Sequence, residues 1–259
     1  MSINYNITAS QVLNILGYDN PLSREFLDDI EKEYNVKLPA VLRGFYMAAY
    51  GCPLLSTADI WTERFCSLYE VIEEQIEEFE EDYGDNPEEG AEDEYYKFSQ
   101  TLSEIPKEKW PEYVKNYLEI GSDYGAGVVN YGICVDDLDK EDPPVYYLNE
   151  DDEMTEWKLL CNTLSEYFML VICDALLCKQ YRTAYDILSG AGWGFNIYES
   201  DEVEDMVKEM GIDLTTLKQQ VLSWGEVTCG YDEERKMIIV ACIDDNYKSP
   251  FMVAAISKK

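Results

Sequence analysis

The Leu38-Pro39 joint sets the first firm constraint on this chain. Proline lacks an amide hydrogen and fixes φ, so it pushes Leu38 into an extended conformation and can itself open a helix. Two short helices therefore meet here. On the N-terminal side, Asn20-Pro21 reads as an N-cap followed by the first helical position. Phe26, Leu27, Ile30 and Tyr34 then recur at three- and four-residue spacing and share one face. Asn35-Val36-Lys37 is a tight turn. Beyond the proline, Val41, Leu42, Phe45 and Ala49 form an apolar face, and Gly51 sits where a left-handed C-cap belongs.

Upstream, Thr8 and Gln11 fit a capping box with Ile7 and Val12 as its staple, for a helix running to Leu16 and stopping at Gly17. Downstream, Cys52 to Ile60 reads as a loop. A long helix is then predicted from about Thr62 to Tyr83, with Phe65, Leu68, Ile72, Ile76, Phe79 and Tyr83 as its stripe. The other face is almost all carboxylate. From Glu70 to Glu94 there are fourteen acidic residues and no basic one. Five like-charged pairs stand four apart (Glu70/Glu74, Glu73/Glu77, Glu74/Glu78, Glu77/Glu81 and Glu78/Asp82), and together they oppose the helix by roughly 1–2.5 kcal/mol. The apolar stripe outweighs that. Residues 85–94 read as a solvated acidic loop.

Tyr95, Phe98, Leu102 and Ile105 predict another helix, ended by Pro106. Next come a short strand over Leu118–Ile120, a glycine-rich turn over Gly121–Gly127 and an alternating strand through Val129, Tyr131, Ile133 and Val135. A polar loop, a strand over Val145–Leu148 and a long apolar helix from about Thr155 to Gln180 follow. Trp157, Leu160, Leu164, Phe168, Val171 and Ala175 make the stripe of that helix.

This order (acidic helix, Leu-Pro, aromatic helix ending in Tyr-Gly, then strand, Ile-Gly-x-Asp turn, strand, Pro-Val-Tyr strand and apolar helix) resembles the SUKH superfamily from Leu22 to Cys178. The resemblance implies an α+β fold with a mixed or antiparallel sheet flanked by helices over residues 1–180. It also implies a function. The superfamily is best known for immunity proteins of bacterial polymorphic toxin systems, with related cell-wall regulators in fungi. The chain is thus expected to bind and neutralise a basic protein toxin, with a nuclease as the expected kind. A regulatory or scaffolding protein using the same surface is the alternative. Neither reading is enzymatic, and no cofactor is implied.

Residues 181–259 do not follow the family order. A helix over Tyr181–Leu188, a loop over Gly190–Gly194 and a strand over Phe195–Tyr198 are predicted there. Helices over 201–210 and 213–222 follow, then strands over Glu226–Tyr231, Lys236–Ile243 and Phe251–Ser257, with Asp232 opening a hairpin turn. This is a C-terminal α+β extension that either forms a second small domain or completes the same sheet.

Composition narrows the function further. The chain has 259 residues, 53 of them acidic and 20 basic, for a net charge of −33. That charge repels nucleic acid and anionic membrane, and it attracts a basic protein. There is no histidine, which removes the commonest general base and every imidazole metal site. The eight cysteines include no C-x-x-C pair and lie mostly in apolar segments, so they read as small buried hydrophobes of a cytoplasmic chain. No secretory signal pattern or membrane-length apolar run stands out.

The candidate partner-binding residues are Glu73, Glu74, Glu77, Glu78, Glu81 and Asp82. Such a run is either a solvated surface or a docking face for lysines and arginines. Tyr117, Tyr124, Tyr131, Tyr146 and Tyr147 either line a second binding face or pack a half-exposed sheet. Carboxylate pairs arise by chance in so acidic a chain, and no calcium-loop spacing is present. The two glycine segments match no phosphate loop and read as turns.

Overall fold

A computed structural model describes residues 3–4, 6–19, 23–58, 60–63, 65–84, 96–123, 129–149, 152–177, 181–199, 205, 208, 220–222, 225–244 and 249–258. The Asn20-Pro21 cap, the acidic loop 85–94, Cys178, Tyr124 with most of the first glycine turn, and nearly all of the helices expected over 201–210 and 213–222 lie outside these residues.

The helical hairpin forms as its sequence dictates. α1 (Ala9–Leu16) starts on the Thr8 capping box, where the Gln11 amide N–H donates to Thr8 Oγ1 at 3.3 Å and the Thr8 N–H donates to Gln11 Oε1 at 2.8 Å. It ends on Gly17 at φ +92°. α2 (Ser23–Glu33) and α3 (Ala40–Ala49) flank the Leu-Pro joint. Arg43 ties them together by pairing with Asp28 at 2.6 Å and Glu31 at 2.9 Å. Phe45 stacks on Phe168 with ring centroids 3.9 Å apart, and Tyr46, Trp61 and Phe65 close around them.

Five antiparallel strands make the first sheet, in the order β2 (Cys66–Ser67), β3 (Tyr117–Asp123), β4 (Val129–Cys134), β5 (Val145–Asn149) and β6 (Lys158–Cys161). Alternation splits its side chains between two cores. Leu118, Ile120, Ile133 and Val145 join the large core under α1–α3, whereas Tyr117 and Cys134 join a smaller one. That smaller core is built from α4 (Leu68–Tyr83), α5 (Lys97–Ser103) and the 3₁₀ segment Lys107–Glu112, which brings in Trp110.

Two expected helices begin later than their stripes suggest, and a third ends in a strand. The segment before Ser67 is not helical: Cys66 and Ser67 pair with Glu119 and Leu118 as β2, and the Ser67 cap fixes the start of α4. Likewise Lys158–Cys161 is an edge strand, and α6 (Leu164–Leu177) begins only after Thr163. There the Glu166 N–H donates to Thr163 Oγ1 at 3.2 Å, and the Glu166 carboxylate accepts from the Asn162 N–H at 3.0 Å. Trp157, Leu160 and Leu164 mimic helical spacing without sharing a helix. Gln220–Leu222, expected at the end of a helix, is instead a strand paired with residues 225–227. Within the expected loop 52–60, Leu55–Thr57 makes a 3₁₀ turn.

The C-terminal strands do not complete the first sheet. They build a second antiparallel sheet in the order β1 (Ile3–Asn4), β9 (Gly225–Asp232), β10 (Met237–Asp244), β11 (Ser249–Lys258) and β7 (Trp193–Glu199), with β8 (Gln220–Leu222) also on β9. The hairpin after Asp232 forms where expected, its carboxylate accepting from the Glu234 and Arg235 N–H groups at 3.0 Å. β1 carries the start of the chain into this sheet through Ile3↔Asp232 and Asn4↔Tyr231.

α6 lies between the two sheets and packs on both. Twelve of its fourteen residues are buried, as a helix apolar on every side must be. Ile238, Val240, Cys242, Ala254 and Ile256 cover it from the second sheet. α7 (Tyr181–Gly190) follows it and leads into β7.

Candidate partner-binding face

α4 is held by its first turn. The Glu70 carboxylate accepts from the Ser67 N–H at 3.0 Å and from the Tyr34 hydroxyl at 2.9 Å, so this glutamate turns inward and links α4 to α2. Ser67 Oγ in turn donates to Asn116 Oδ1 at 2.9 Å. Burial beside Glu70 pushes the Tyr34 phenol well above its ordinary pKa. Along the inner face, Leu68, Ile72 and Gln75 are buried, with the Ser99 hydroxyl donating to Gln75.

The outer face carries the predicted carboxylates. Glu74, Glu77, Glu78, Glu81 and Asp82 are exposed, and Glu80, outside the expected set, is exposed beside them. At about 100° per residue they sweep roughly half of the helix circumference. Glu80 was legible as part of the same acidic run but formed none of the four-apart pairs. Glu73 differs from the rest. It is only half exposed and pairs with Lys107, whose ammonium also lies 5.9 Å from the Trp110 ring centre. Among the described residues, Lys107 is the one cation paired with this helix. Of the five like-charged pairs, the two involving Glu70 and Glu73 are thus relieved internally. Glu74/Glu78, Glu77/Glu81 and Glu78/Asp82 are left facing water.

At the end of the helix, Phe79 and Tyr83 rest on Tyr96 with ring centroids 5.6 and 6.2 Å away. The Tyr96 hydroxyl donates to Asp82 at 3.5 Å, a long contact.

The four described tyrosines of the expected set do not share one face. Strand alternation sends Tyr117 and Tyr146 to one side of the first sheet, with rings 5.6 Å apart. It sends Tyr131 and Tyr147, cross-strand partners, to the large core on the other side. Tyr117 and Tyr131 are buried, and burial raises the Tyr117 phenol to about 12. Trp157 stacks flat on Tyr117 at 4.2 Å and closes over Gly132.

Gly121 answers a packing demand rather than a phosphate. A β-carbon there would lie 2.0 Å from the Tyr167 hydroxyl and 2.6 Å from the Ile60 carbonyl, to which Tyr167 donates at 2.6 Å. All seven described cysteines are buried. Among the described residues, no group of acidic or cysteine side chains is arranged to hold a metal ion, and no helix is long and apolar enough to cross a membrane.

No curated protein and no solved structure matches the chain. The family profile described as SMI1 / KNR4 family (SUKH-1) matches residues 21–170, from the entry to α2 to the middle of α6. β1, α1 and the second sheet lie outside that match. Since the matched span covers more than half of the sequence and carries the Leu-Pro hairpin, α4 and the whole first sheet, the chain belongs to the SMI1 / KNR4 family (SUKH-1).

Proposed function

We propose that this chain is a bacterial immunity protein acting in the cytoplasm. It binds a basic protein toxin, with a nuclease as the expected kind, and blocks it by occlusion without chemistry of its own. The family includes immunity proteins, and the exposed carboxylate row of α4 is the observation that carries the reading. Glu74, Glu77, Glu78, Glu81 and Asp82 form the docking face, with Glu80 added and Glu73 contributing less because Lys107 already neutralises it. A nuclease presents lysines and arginines where it grips phosphate. An acidic face can occupy that surface, and it speeds the encounter electrostatically.

The test pairs the purified chain with the product of the neighbouring upstream gene, at about 0.05 M and about 0.5 M salt. The expected result is tight binding that weakens with salt and abolishes nuclease activity. Reversing charge at Glu74, Glu77 and Glu81 is expected to weaken affinity roughly tenfold or more. Unchanged affinity in that variant would remove α4 from the interface. Absence of any such neighbour would favour the regulatory alternative.

A further inference from the structure

We propose that the outer edge of β6 is a strand-addition site for an extended, basic segment of the protein partner. This rests on the reading that the chain acts by binding a basic protein, but not on α4 being the docking face. β6 ends the first sheet, and among the described residues no strand pairs with its outer side. Such an edge presents unpaired amide and carbonyl groups that only another extended backbone satisfies in full.

Natural edges are commonly guarded by a lysine or by charge along the strand. Here the guard is disarmed, because Lys158 is tied to Asp152 at 2.6 Å. The next residue, Leu159, is 53% exposed, and among the strongly exposed large apolar side chains described it alone lies on a strand. It stands opposite Tyr146 in the ladder, on the face where Trp157 stacks on Tyr117. An added strand would therefore find main-chain partners, an apolar and aromatic shelf for alternate side chains, and the exposed carboxylates Glu153 and Glu156 close by in sequence. Those carboxylates select a basic occupant. A second copy of this chain is disfavoured by its own net charge of −33.

Of the other strands that end a sheet, β1, β2 and β8 run only two or three residues, and β7 offers no comparable anchor. Among its described side chains, Trp193 and Phe195 turn into the core and Asn196 is the exposed one.

The test measures amide hydrogen exchange across the full chain with a short capped peptide of alternating lysine and valine. The control is the same peptide with its central valine replaced by proline. At about 1 mM peptide, exchange at residues 158–161 is expected to slow roughly threefold or more with the first peptide and not with the second. Leu159→Glu, a surface change, is expected to weaken binding about tenfold. Equal effects of the two peptides, no slowing at β6, or indifference to Leu159→Glu would each overturn the proposal. Reversing charge at Glu74, Glu77 and Glu81 separates the two readings. If the peptide's effect maps to α4 and vanishes in that variant, the β6 site falls while the acidic-face reading stands.

Discussion

At Gly121 the structure leaves room for a hydrogen atom and no more. The Tyr167 hydroxyl and the Ile60 carbonyl both stand inside the space a methyl group would take, and Tyr167 is fully buried. Gly121→Ala is therefore expected to destabilise the fold by roughly 1–3 kcal/mol in urea unfolding. Combined with Tyr167→Phe, which removes the nearest clashing atom, the loss should be smaller than the sum of the two single changes. Strict additivity would mean that the close approach is unimportant. The buried thiols make a second residue-scale prediction. Burial raises Cys52 to about 11, and Cys161 and Cys229 to about 12, from an ordinary value of 9.0. The unfolded chain loses these protons first, so their contribution to stability is complete below pH 9 and lost as pH rises toward 11–12. Urea midpoints should fall across that window, and a flat profile would count against it. The motif containing Gly121 was legible in the sequence, but its reason was not. The tyrosine it accommodates is 46 residues away, and no local spacing announces it.

α4 shows how an element can be legible and still misjudged in detail. Its apolar stripe and acidic face are plain in the sequence, yet its start lies at Ser67 rather than near Thr62, because β2 and the cap claim the residues between. The face itself is thinned by two partners that no periodicity reveals, Tyr34 for Glu70 and Lys107 for Glu73. What is left gives a direct expectation. Glu78 opposes both Glu74 and Asp82, so Glu78→Gln should stabilise the free protein by roughly 0.4–1 kcal/mol at low salt. The gain should vanish near 1 M salt, where the screening length is about 3 Å. The same change should weaken a basic partner's binding. Thermal melts at two salt concentrations check the first half, and a gain that survives high salt would point to some cause other than charge. β6 illustrates the opposite difficulty: four residues with helical-looking neighbours become a strand only because β5 lies beside them.

For the whole molecule, the decisive feature is that α6 serves two sheets. The family match ends inside this helix, while its burial depends on strands formed beyond residue 190. A fragment ending at residue 180 is expected to expose one side of α6 and lose its sharp thermal transition, with increased binding of a hydrophobic dye. A fragment that melts cooperatively would instead mark residues 181–259 as an independent domain. The sequence left that fork open because strand patterns report which face is buried, not which sheet a strand joins. The pairing of Ile3 with Asp232 carries the same dependence into synthesis. As the chain leaves the ribosome, the hairpin and α4 find their neighbours early, but β1 has no partner until more than two hundred further residues have emerged. A strand made that early is placed only late, so the second sheet closes by joining residues from the two far ends of the described fold.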